Sequence, residues 1–150
     1  MKVCIIGSSG HWAYALPQLK HHTVIGIAPG FAGEDMSAVA ASLAAEAIHT
    51  PIAADYRTLL ENGADIAIVN TRFDRNAAIT VECLQRDIFV FSEKPLALDE
   101  ASLARIEAAQ KTSRAFVCAM FGIRFEPWFL CIQEAVKNIG QITMINAQKS

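Results

Sequence analysis

The sequence predicts an α/β fold of the Rossmann type, a doubly wound parallel sheet with helices on both faces. Short unbroken apolar runs, for example at residues 3–6 and 88–91, are typical of strands buried on both sides of a parallel sheet. Helical patterns alternate with such runs along nearly the whole chain. The first run ends in the glycine turn Gly7-Ser8-Ser9-Gly10, after which a helix is predicted from about His11.

The remaining elements follow from the same patterns. Predicted strands cover residues 24–28, 48–53, 65–70 and 115–120, and a strand-like run at residues 141–146 closes the chain. Predicted helices cover residues 36–46 and 56–62, and three more begin near residues 74, 99 and 127. The predicted caps are Asp74 and Asp99 at helix N-termini and Gly63 at a C-terminus. Helical spacing predicts two core stripes, with Ala77, Val81 and Leu84 in one helix and Leu103, Ile106 and Ala109 in the next.

The composition is that of one soluble globular domain, with 53% hydrophobic and 19% charged residues. A net charge of −2 gives no electrostatic reason to expect nucleic acid or an anionic membrane as a partner. There is no transmembrane-length apolar run and no signal-peptide pattern, so we expect a cytoplasmic protein. The four cysteines lie in apolar patterns without metal-ligand spacing, which predicts reduced, buried thiols and no metal site at Cys4, Cys83, Cys118 and Cys131.

The glycine turn predicts an anion site. Glycines let the backbone turn tightly and approach a ligand, and the first amides of the following helix point at a phosphate with the helix dipole behind them. Small residues recur at Gly7, Gly10 and Ala13, a spacing similar to the G-x-x-G-x-x-G/A turn of some NADP-dependent reductases. The common G-x-G-x-x-G pattern would instead put Trp12 at its third glycine. A purely structural strand-to-helix turn stays a second interpretation.

The end of the second strand bears on the choice of cofactor. NAD-preferring domains usually carry an acid there, hydrogen-bonded to the ribose 2′-hydroxyl. This strand ends at Ala28-Pro29-Gly30 without an acid, and Glu34 and Asp35 follow only after a further loop. We therefore expect NADP or NAD as cofactor, with a slight lean to NADP because no carboxylate would repel a 2′-phosphate.

Three polar segments follow predicted strands and should meet at the carboxyl edge of the sheet, where such folds bind ligands. They are the turn at Gly7, the end of the fourth strand at Asn70, and the loop with Glu93 and Lys94. An ammonium group beside a nicotinamide ring would polarise a hydroxyl or carbonyl, or shuttle its proton. An exposed loop with an ordinary ion pair between Glu93 and Lys94 stays the other interpretation.

The run E-K-P-L-A at residues 93–97 and the run R-F-E-P at residues 124–127 are the two most specific motifs of the chain. They resemble motifs of the glucose–fructose oxidoreductase, inositol dehydrogenase and rhizopine-catabolism family (Gfo/Idh/MocA-like). Members of that family carry E-K-P-L/I-A after the fifth strand and R-F/Y-x-P after the sixth. The tail at residues 139–142 resembles the I-G-x-I that leads into the family's second domain, so the resemblance covers essentially the whole chain.

The resemblance implies a nicotinamide-dependent redox enzyme whose small-molecule substrate is a sugar, a polyol or a related compound. It implies that Lys94 lies near the nicotinamide and the reacting hydroxyl, and that Glu93 contacts the cofactor ribose. It also implies that the turn from Gly7 to His11 holds the pyrophosphate. The loop that lines the cofactor in the family corresponds to Asn70, Thr71 and Arg72.

Family members continue into an α+β domain that supplies much of the substrate pocket and the oligomer interface. We expect residues 1–150 to be the NAD(P)-binding domain, with the second domain absent from this chain. A homo-oligomer is then possible only where that second domain exists. The resemblance leaves two positions open for Arg124, which either reaches the active-site edge or braces the hinge between the domains.

Two other functions stay open. A non-catalytic nucleotide-sensing or protein-interaction domain is favoured by the unusual glycine turn and by the absent second domain. It is also favoured by Arg72 and Asn76, where the family commonly has Pro and His. A semialdehyde-type reductase shares the G-x-x-G-x-x-A turn, but no Cys is predicted in a loop at the carboxyl edge to act as its nucleophile.

Overall fold

Five parallel strands form a single sheet in the computed structural model, which describes residues 1–148 of the chain. The order across the sheet is β2-β1-β3-β4-β5. The strands are β1 (Lys2–Ile6), β2 (Thr23–Ala28), β3 (Ile66–Val69), β4 (Phe89–Ser92) and β5 (Val117–Ala119). The predicted parallel sheet is confirmed.

Helices connect the strands and lie on both faces of the sheet. A 3₁₀ turn at Trp12–Ala15 precedes α1, and a second one at Gly122–Phe125 precedes α6. The helices are α1 (Leu16–Leu19), α2 (Ser37–Ala45), α3 (Tyr56–Glu61), α4 (Phe73–Leu84), α5 (Glu100–Thr112) and α6 (Pro127–Val136). The chain divides into two units, Met1–Met120 and a second that begins at Phe121 and contains α6.

The alternation of side chains along β1 divides the core of the first unit into two layers. Val3 and Ile5 face one layer, which α1 and α2 help to form, and Cys4 and Ile6 face the other, which α3, α4 and α5 help to form. All four side chains are at most 2% exposed. A strand buried on both faces needs apolar residues at every position, which is why the run at residues 3–6 has no polar member.

The carboxyl ends of all five strands lie in one row, and this row positions the candidate site. Ile6 of β1 is in register with Ala28 of β2 and with Val69 of β3. Val69 is in register with Ser92 of β4, which pairs in turn with Ala119 of β5. The residue after each strand therefore emerges at the same edge of the sheet. The chain leaves β1 toward β2 on one side and continues through β3 on the other, so this edge contains a topological switch point.

The prediction of a strand at residues 48–53 is wrong, although a trace of it remains. Ile52 forms a single parallel bridge with Ile27, flanked by backbone hydrogen bonds from Ile27 to Pro51 and from Ala53 to Ile27. The segment lies beside β2 at the outer edge of the sheet, and Ile52 is 55% exposed. A single bridge and a largely exposed side chain are not enough to stabilise a sixth strand here.

The N-terminal caps agree with the sequence only in part. Asp99 caps α5 as predicted, because its side chain accepts a hydrogen bond from the Ser102 amide at 2.6 Å. The prediction for Asp74 is wrong: it lies in the first turn of α4, whose N-cap is Arg72, and its carboxylate binds the Arg72 guanidinium instead. Gly63 follows α3 with a φ of +78°, as expected of a glycine that ends a helix.

The predicted inward stripe of α5 is off by one position. Ile106 and Ala109 are buried as expected, but Leu103 is 43% exposed and Ser102 is buried in its place. The Ser102 hydroxyl binds the Asp99 carboxylate at 3.0 Å, so the helix cap satisfies this buried polar group. In α4, Ala77 and Leu84 are buried and Val81 is half-buried.

The second unit contains α6, which begins at Pro127 as predicted. The prediction of a strand at residues 141–146 is wrong, because this segment has no regular secondary structure and no strand in the described residues pairs with it. Arg124 lies in the 3₁₀ turn of this unit and is exposed. Among residues 1–148 there is no helix with the length and apolarity that a bilayer crossing requires.

The cysteines fall into two pairs. Cys4 and Cys83 are buried, and burial raises the pKa of the Cys4 thiol to about 12 and raises that of Cys83 further. The prediction of buried thiols is wrong for Cys118 and Cys131, which are exposed. Cys118 lies on the edge strand β5, and an edge strand has a neighbour on one side only. All four thiols are free.

Candidate functional site

The glycine turn after β1 is packed against the end of β3. Gly7 has a φ of +89°, and a Cβ atom at this position would lie 2.3 Å from the Asn70 carbonyl oxygen. The Ser9 amide donates a hydrogen bond to the same oxygen at 2.8 Å. Gly7 is therefore required both by its backbone conformation and by the close approach of two chain segments.

The second glycine of the turn makes room for a glutamate. Gly10 has a φ of +68°, and a Cβ atom there would lie 2.0 Å from Oε2 of Glu93. The spacing Gly7-x-x-Gly10 thus has a structural reason. The third member of the predicted pattern does not: Ala13 is exposed, and it is Trp12 that packs into the core, with 8% of its surface exposed.

The helix expected from His11 is also different from the prediction. The chain forms one 3₁₀ turn at Trp12–Ala15 and then a four-residue α-helix, Leu16–Leu19. Such a short helix aligns few peptide dipoles, so the expected contribution of a helix dipole to anion binding is small. Anion binding at this turn has to come from individual amides and from side chains.

Glu93 connects the turn to the loop after β4. Its side chain is 1% exposed, and its Oε2 atom accepts hydrogen bonds from the His11 amide at 2.5 Å and from the His11 ring Nδ1 at 2.8 Å. Its Oε1 atom accepts one from the Lys94 amide at 2.9 Å. A buried carboxylate needs such donors because an unpaired buried charge is costly. Glu93 lies beneath the turn and holds two segments of the site together.

Glu34 is a site residue that the sequence analysis missed. It lies in the loop after β2, and this loop folds back so that the Glu34 carboxylate lies at the carboxyl edge of the sheet. The Oε2 atom accepts hydrogen bonds from the Gly30 amide at 2.7 Å and the Thr71 hydroxyl at 3.0 Å. The Oε1 atom accepts one from the Ser8 amide at 3.0 Å and a longer one from the Ser8 hydroxyl at 3.4 Å. The premise that no acid stands near the end of β2 is therefore wrong.

The loop after β3 carries three of the predicted residues in different environments. Asn70 is fully buried, and neither its Oδ1 nor its Nδ2 atom has a hydrogen-bond partner among the described residues. Thr71 is buried and bonded to Glu34. Arg72 is exposed and binds Asp74 through two hydrogen bonds, at 2.9 and 2.6 Å, which raise the pKa of its guanidinium.

Lys94 opens the loop after β4. Its ammonium nitrogen lies 3.9 Å from Oε1 of Glu93 and 5.9 Å from the centre of the Phe73 ring, and its side chain is 45% exposed. The carboxylate and the ring face hold the ammonium group on one side while the other side meets solvent. A half-exposed amine in this position is accessible to a ligand in the cleft.

One cleft of about 500 Å³ brings most of the predicted site residues together. The predicted residues that line it are Ser9, Gly10, His11, Thr71, Arg72, Glu93 and Lys94. Phe73, Asp74 and Leu98 complete the lining. Gly7, Ser8 and Asn70 are predicted site residues that do not line it. Gly7, the first residue of the turn, and Asn70, which packs against it, are both buried, and Ser8 contacts Glu34 instead.

A dinucleotide fits this arrangement in three respects. The cleft is followed by a second cavity of about 370 Å³ beside Pro29 and Glu34 at the end of β2, so two compartments are present. The Gly10 amide forms no hydrogen bond among residues 1–148, and Arg72 and Lys94 bring cationic groups to the cleft. The buried, unpartnered amide of Asn70 adds a polar group next to the turn.

One feature of the turn opposes tight binding of a diphosphate. The Ser8 amide donates a hydrogen bond to Glu34, and the His11 amide donates one to Glu93. Two of the amides that an anion would use therefore already bind carboxylates. No group of three or more His, Cys, Asp or Glu side chains in the described part of the chain is arranged to hold a metal ion.

Comparison with known proteins identifies the pattern. Residues 1–120 match the family model GFO_IDH_MocA, described as an oxidoreductase family with an NAD-binding Rossmann fold. Inositol 2-dehydrogenase from Salmonella typhimurium is 29% identical over 98 residues, which are 63% of this chain and 29% of that enzyme.

Solved structures share the fold of the first 120 residues and more. A Thermotoga maritima protein solved as a candidate oxidoreductase superimposes with a TM-score of 0.85 and 38% identity, over 91% of this chain and 43% of its own. Myo-inositol dehydrogenase from Lactobacillus casei, solved with NAD(H) and myo-inositol, gives a TM-score of 0.74 at 22% identity, over 91% of this chain and 41% of its own. The chain thus spans less than half the length of these relatives.

The close contact at Gly7 gives a prediction about stability. The substitution Gly7→Ala should lower the free energy of unfolding by about 3 kcal/mol or more, because it adds a clash with the Asn70 carbonyl to the cost of a left-handed backbone. Gly33→Ala is the matched control: it has a φ of +85° and no atom within 4 Å of the added Cβ. It should cost only about 1 kcal/mol. Urea unfolding measures both, and equal losses would contradict the proposed contact.

Proposed function

Since the chain belongs to the Gfo/Idh/MocA oxidoreductase family, which has an NAD-binding Rossmann fold, we propose that it is the cofactor-binding domain of an NAD(P)-dependent dehydrogenase. The enzyme would transfer a hydride between a nicotinamide cofactor and a sugar, a polyol or a related small hydroxy or keto compound. The observation that carries this proposal is the cleft in which the glycine turn and Lys94 are held together by Glu93.

Each of the two compartments would hold one half of the dinucleotide. The turn at Ser9, Gly10 and His11 would receive the diphosphate, with the Gly10 amide as a donor and Arg72 as a nearby cation. The cavity beside Glu34 would receive the adenosine half, and the cleft beside Lys94 the nicotinamide half. The bound nicotinamide supplies the hydride chemistry, and the protein supplies its position.

Lys94 is the proposed catalytic residue. Its ammonium group would polarise the substrate oxygen and move the proton at that oxygen as the carbon is oxidised or reduced. Oxidation of an alcohol releases one proton and one hydride, so the lysine takes part in the proton half of the reaction. Glu93 positions this lysine through its amide and lies 3.9 Å from its ammonium nitrogen. The ribose contact implied for Glu93 by family resemblance has less support, because this carboxylate is 1% exposed.

The substrate class and the second domain extend the proposal to the whole enzyme. One similar protein is named for its action on inositol, and another was solved with NAD(H) and myo-inositol, which supports a sugar or polyol substrate. The short span of the chain relative to both supports a second domain that completes the substrate pocket and allows a homo-oligomer. The four free thiols support a cytoplasmic location, because disulfides are rare there.

The occupied amides of the turn favour a second candidate, a non-catalytic nucleotide-sensing or protein-interaction domain derived from the same family. Glu34 and Glu93 already bind the Ser8 and His11 amides, and both add negative charge near the diphosphate position. A domain that no longer binds a cofactor can keep such a turn, because its amides then need partners within the protein. The effect of Lys94→Ala on turnover of the complete protein distinguishes the two candidates, because neither a nucleotide sensor nor an interaction domain needs a catalytic lysine.

Cofactor binding to the 150-residue chain is the first test. Adding NAD⁺ or NADP⁺ should quench tryptophan fluorescence saturably, because the buried Trp12 directly follows the turn. Trp128 is 54% exposed and lies in the second unit, so a Trp128→Phe variant isolates the Trp12 signal and serves as the control. No saturable quenching and no calorimetric heat with either dinucleotide at millimolar concentration would overturn the proposed function.

The second test addresses Lys94. In the complete enzyme, Lys94→Ala should lower kcat by about 10²–10⁴-fold, as is typical when a general acid–base group is removed. The Kd for the cofactor should rise far less, by at most about fivefold, because one half-exposed charge is worth up to about 1 kcal/mol and the turn and Arg72 stay in place. Lys111→Ala on α5 is the control, since this exposed lysine does not line the cleft. Unchanged turnover in Lys94→Ala would show that the catalytic assignment is wrong.

A further inference from the structure

We infer that Glu34 is the carboxylate that meets the adenosine ribose and makes this domain prefer NAD over NADP. The inference rests on the proposed function, because it concerns the cofactor of the same site. It reverses the slight lean to NADP that the sequence alone predicts. It also names a residue outside the strand end where that acid is usually sought.

The position of the carboxylate is the first argument. Dinucleotide-binding domains place an acid at the end of the second strand, where it accepts a hydrogen bond from the ribose 2′-hydroxyl. Here β2 ends at Ala28, and Glu34 follows six positions later. Its carboxylate nevertheless lies at that strand end, where it accepts hydrogen bonds from the Gly30 amide at 2.7 Å and from the Ser8 amide at 3.0 Å. It therefore lies between the end of β2 and the glycine turn.

The two cavities are the second argument. Glu34 lines the cavity at the end of β2, and Thr71, which donates to Glu34 at 3.0 Å, lines the cleft that contains Lys94. The Glu34–Thr71 hydrogen bond thus marks the boundary between the two compartments. A dinucleotide with one half in each compartment has its adenosine ribose next to this boundary.

The chemistry of the carboxylate is the third argument. Three of its four hydrogen bonds are 3.0 Å or shorter and hold it in place, while the bond from the Ser8 hydroxyl is 3.4 Å. A ribose 2′-hydroxyl is a donor and can replace the Ser8 hydroxyl without loss. A 2′-phosphate offers acceptor oxygens and negative charge, so it repels the same carboxylate.

Arg72 is the group that would favour the opposite preference. Its guanidinium lies 4.9 Å from the centre of the ring of Phe31, a residue of the loop that also contains Glu34. An arginine in such a position can bind a 2′-phosphate. Two of its nitrogens, Nε and one terminal nitrogen, are already bound to Asp74. The Asp74 carboxylate offsets the charge of this guanidinium and leaves one terminal nitrogen for a ligand, so Arg72 favours a 2′-phosphate less than the Glu34 carboxylate opposes it.

Calorimetric titration of the 150-residue chain with NAD⁺ and with NADP⁺ tests the inference. The wild-type chain should bind NAD⁺ at least about tenfold more tightly, since rejection of a charged group by a fixed carboxylate is worth at least that factor. In Glu34→Gln the ratio should fall by about tenfold or more, with weaker binding of NAD⁺ and stronger binding of NADP⁺. Glu107→Gln is the matched control: it removes an exposed carboxylate on α5 that lines neither cavity, and it should leave the ratio unchanged.

Each outcome has a defined meaning. A wild-type chain that binds NADP⁺ as tightly as NAD⁺, or a ratio that Glu34→Gln leaves unchanged, overturns the inference while the proposed function stands. Binding of neither dinucleotide overturns the proposed function and the inference with it. Because the wild-type ratio is itself decisive, the test does not depend on whether Glu34→Gln folds. In Arg72→Ala, a selective loss of NADP⁺ binding together with a wild-type preference for NADP⁺ would assign the ribose site to Arg72 instead.

Discussion

The buried carboxylate of Glu93 connects the two segments on which the site depends. One of its oxygens accepts hydrogen bonds from the amide and the ring of His11, and the other accepts a hydrogen bond from the Lys94 amide. The turn after β1 and the loop after β4 are separated in the sheet by β3, so a rigid link between them has to cross the end of that strand. Gly10 permits this, since any side chain there would overlap the glutamate. The link adds to the register of the strands in fixing the turn relative to the proposed catalytic lysine.

A second carboxylate completes the arrangement on the other side of the turn. Glu34 binds Ser8, Gly30 and Thr71, and thereby connects the turn to the ends of β2 and β3. The two glutamates stabilise the turn in the absence of a ligand, and they also place negative charge near the proposed diphosphate site. Binding then depends on the remaining donors, among them the Gly10 amide, and on the cations of Arg72 and Lys94. The same two contacts that shape the site limit how tightly it holds an anion.

The sheet and its carboxyl edge could be predicted from the sequence, because continuous apolar runs and glycine turns are local signals. The row formed by the ends of β1, β3 and β4 follows directly from them. Glu34 could not be found in this way, because nothing in the periodicity of the chain indicates that a loop folds back on its own strand. The strand expected at residues 48–53 failed for a related reason, since pairing at a sheet edge depends on burial that local sequence does not report. The stripe of α5 was misplaced because Ser102, bonded to Asp99, occupies an inward position that hydrophobic spacing assigns to an apolar residue.

We propose that the glycine turn, the end of β3 and the loop of Lys94 form one nucleotide site. The most direct measurement is an NMR titration of the ¹⁵N-labelled chain with NAD⁺. The amide resonances of Gly10, His11, Thr71 and Lys94 should shift together and saturate with one Kd, while the resonance of Gly63, which follows α3, should stay in place. Saturable shifts confined to residues outside the cleft, or separate affinities for the turn and the lysine loop, would contradict it.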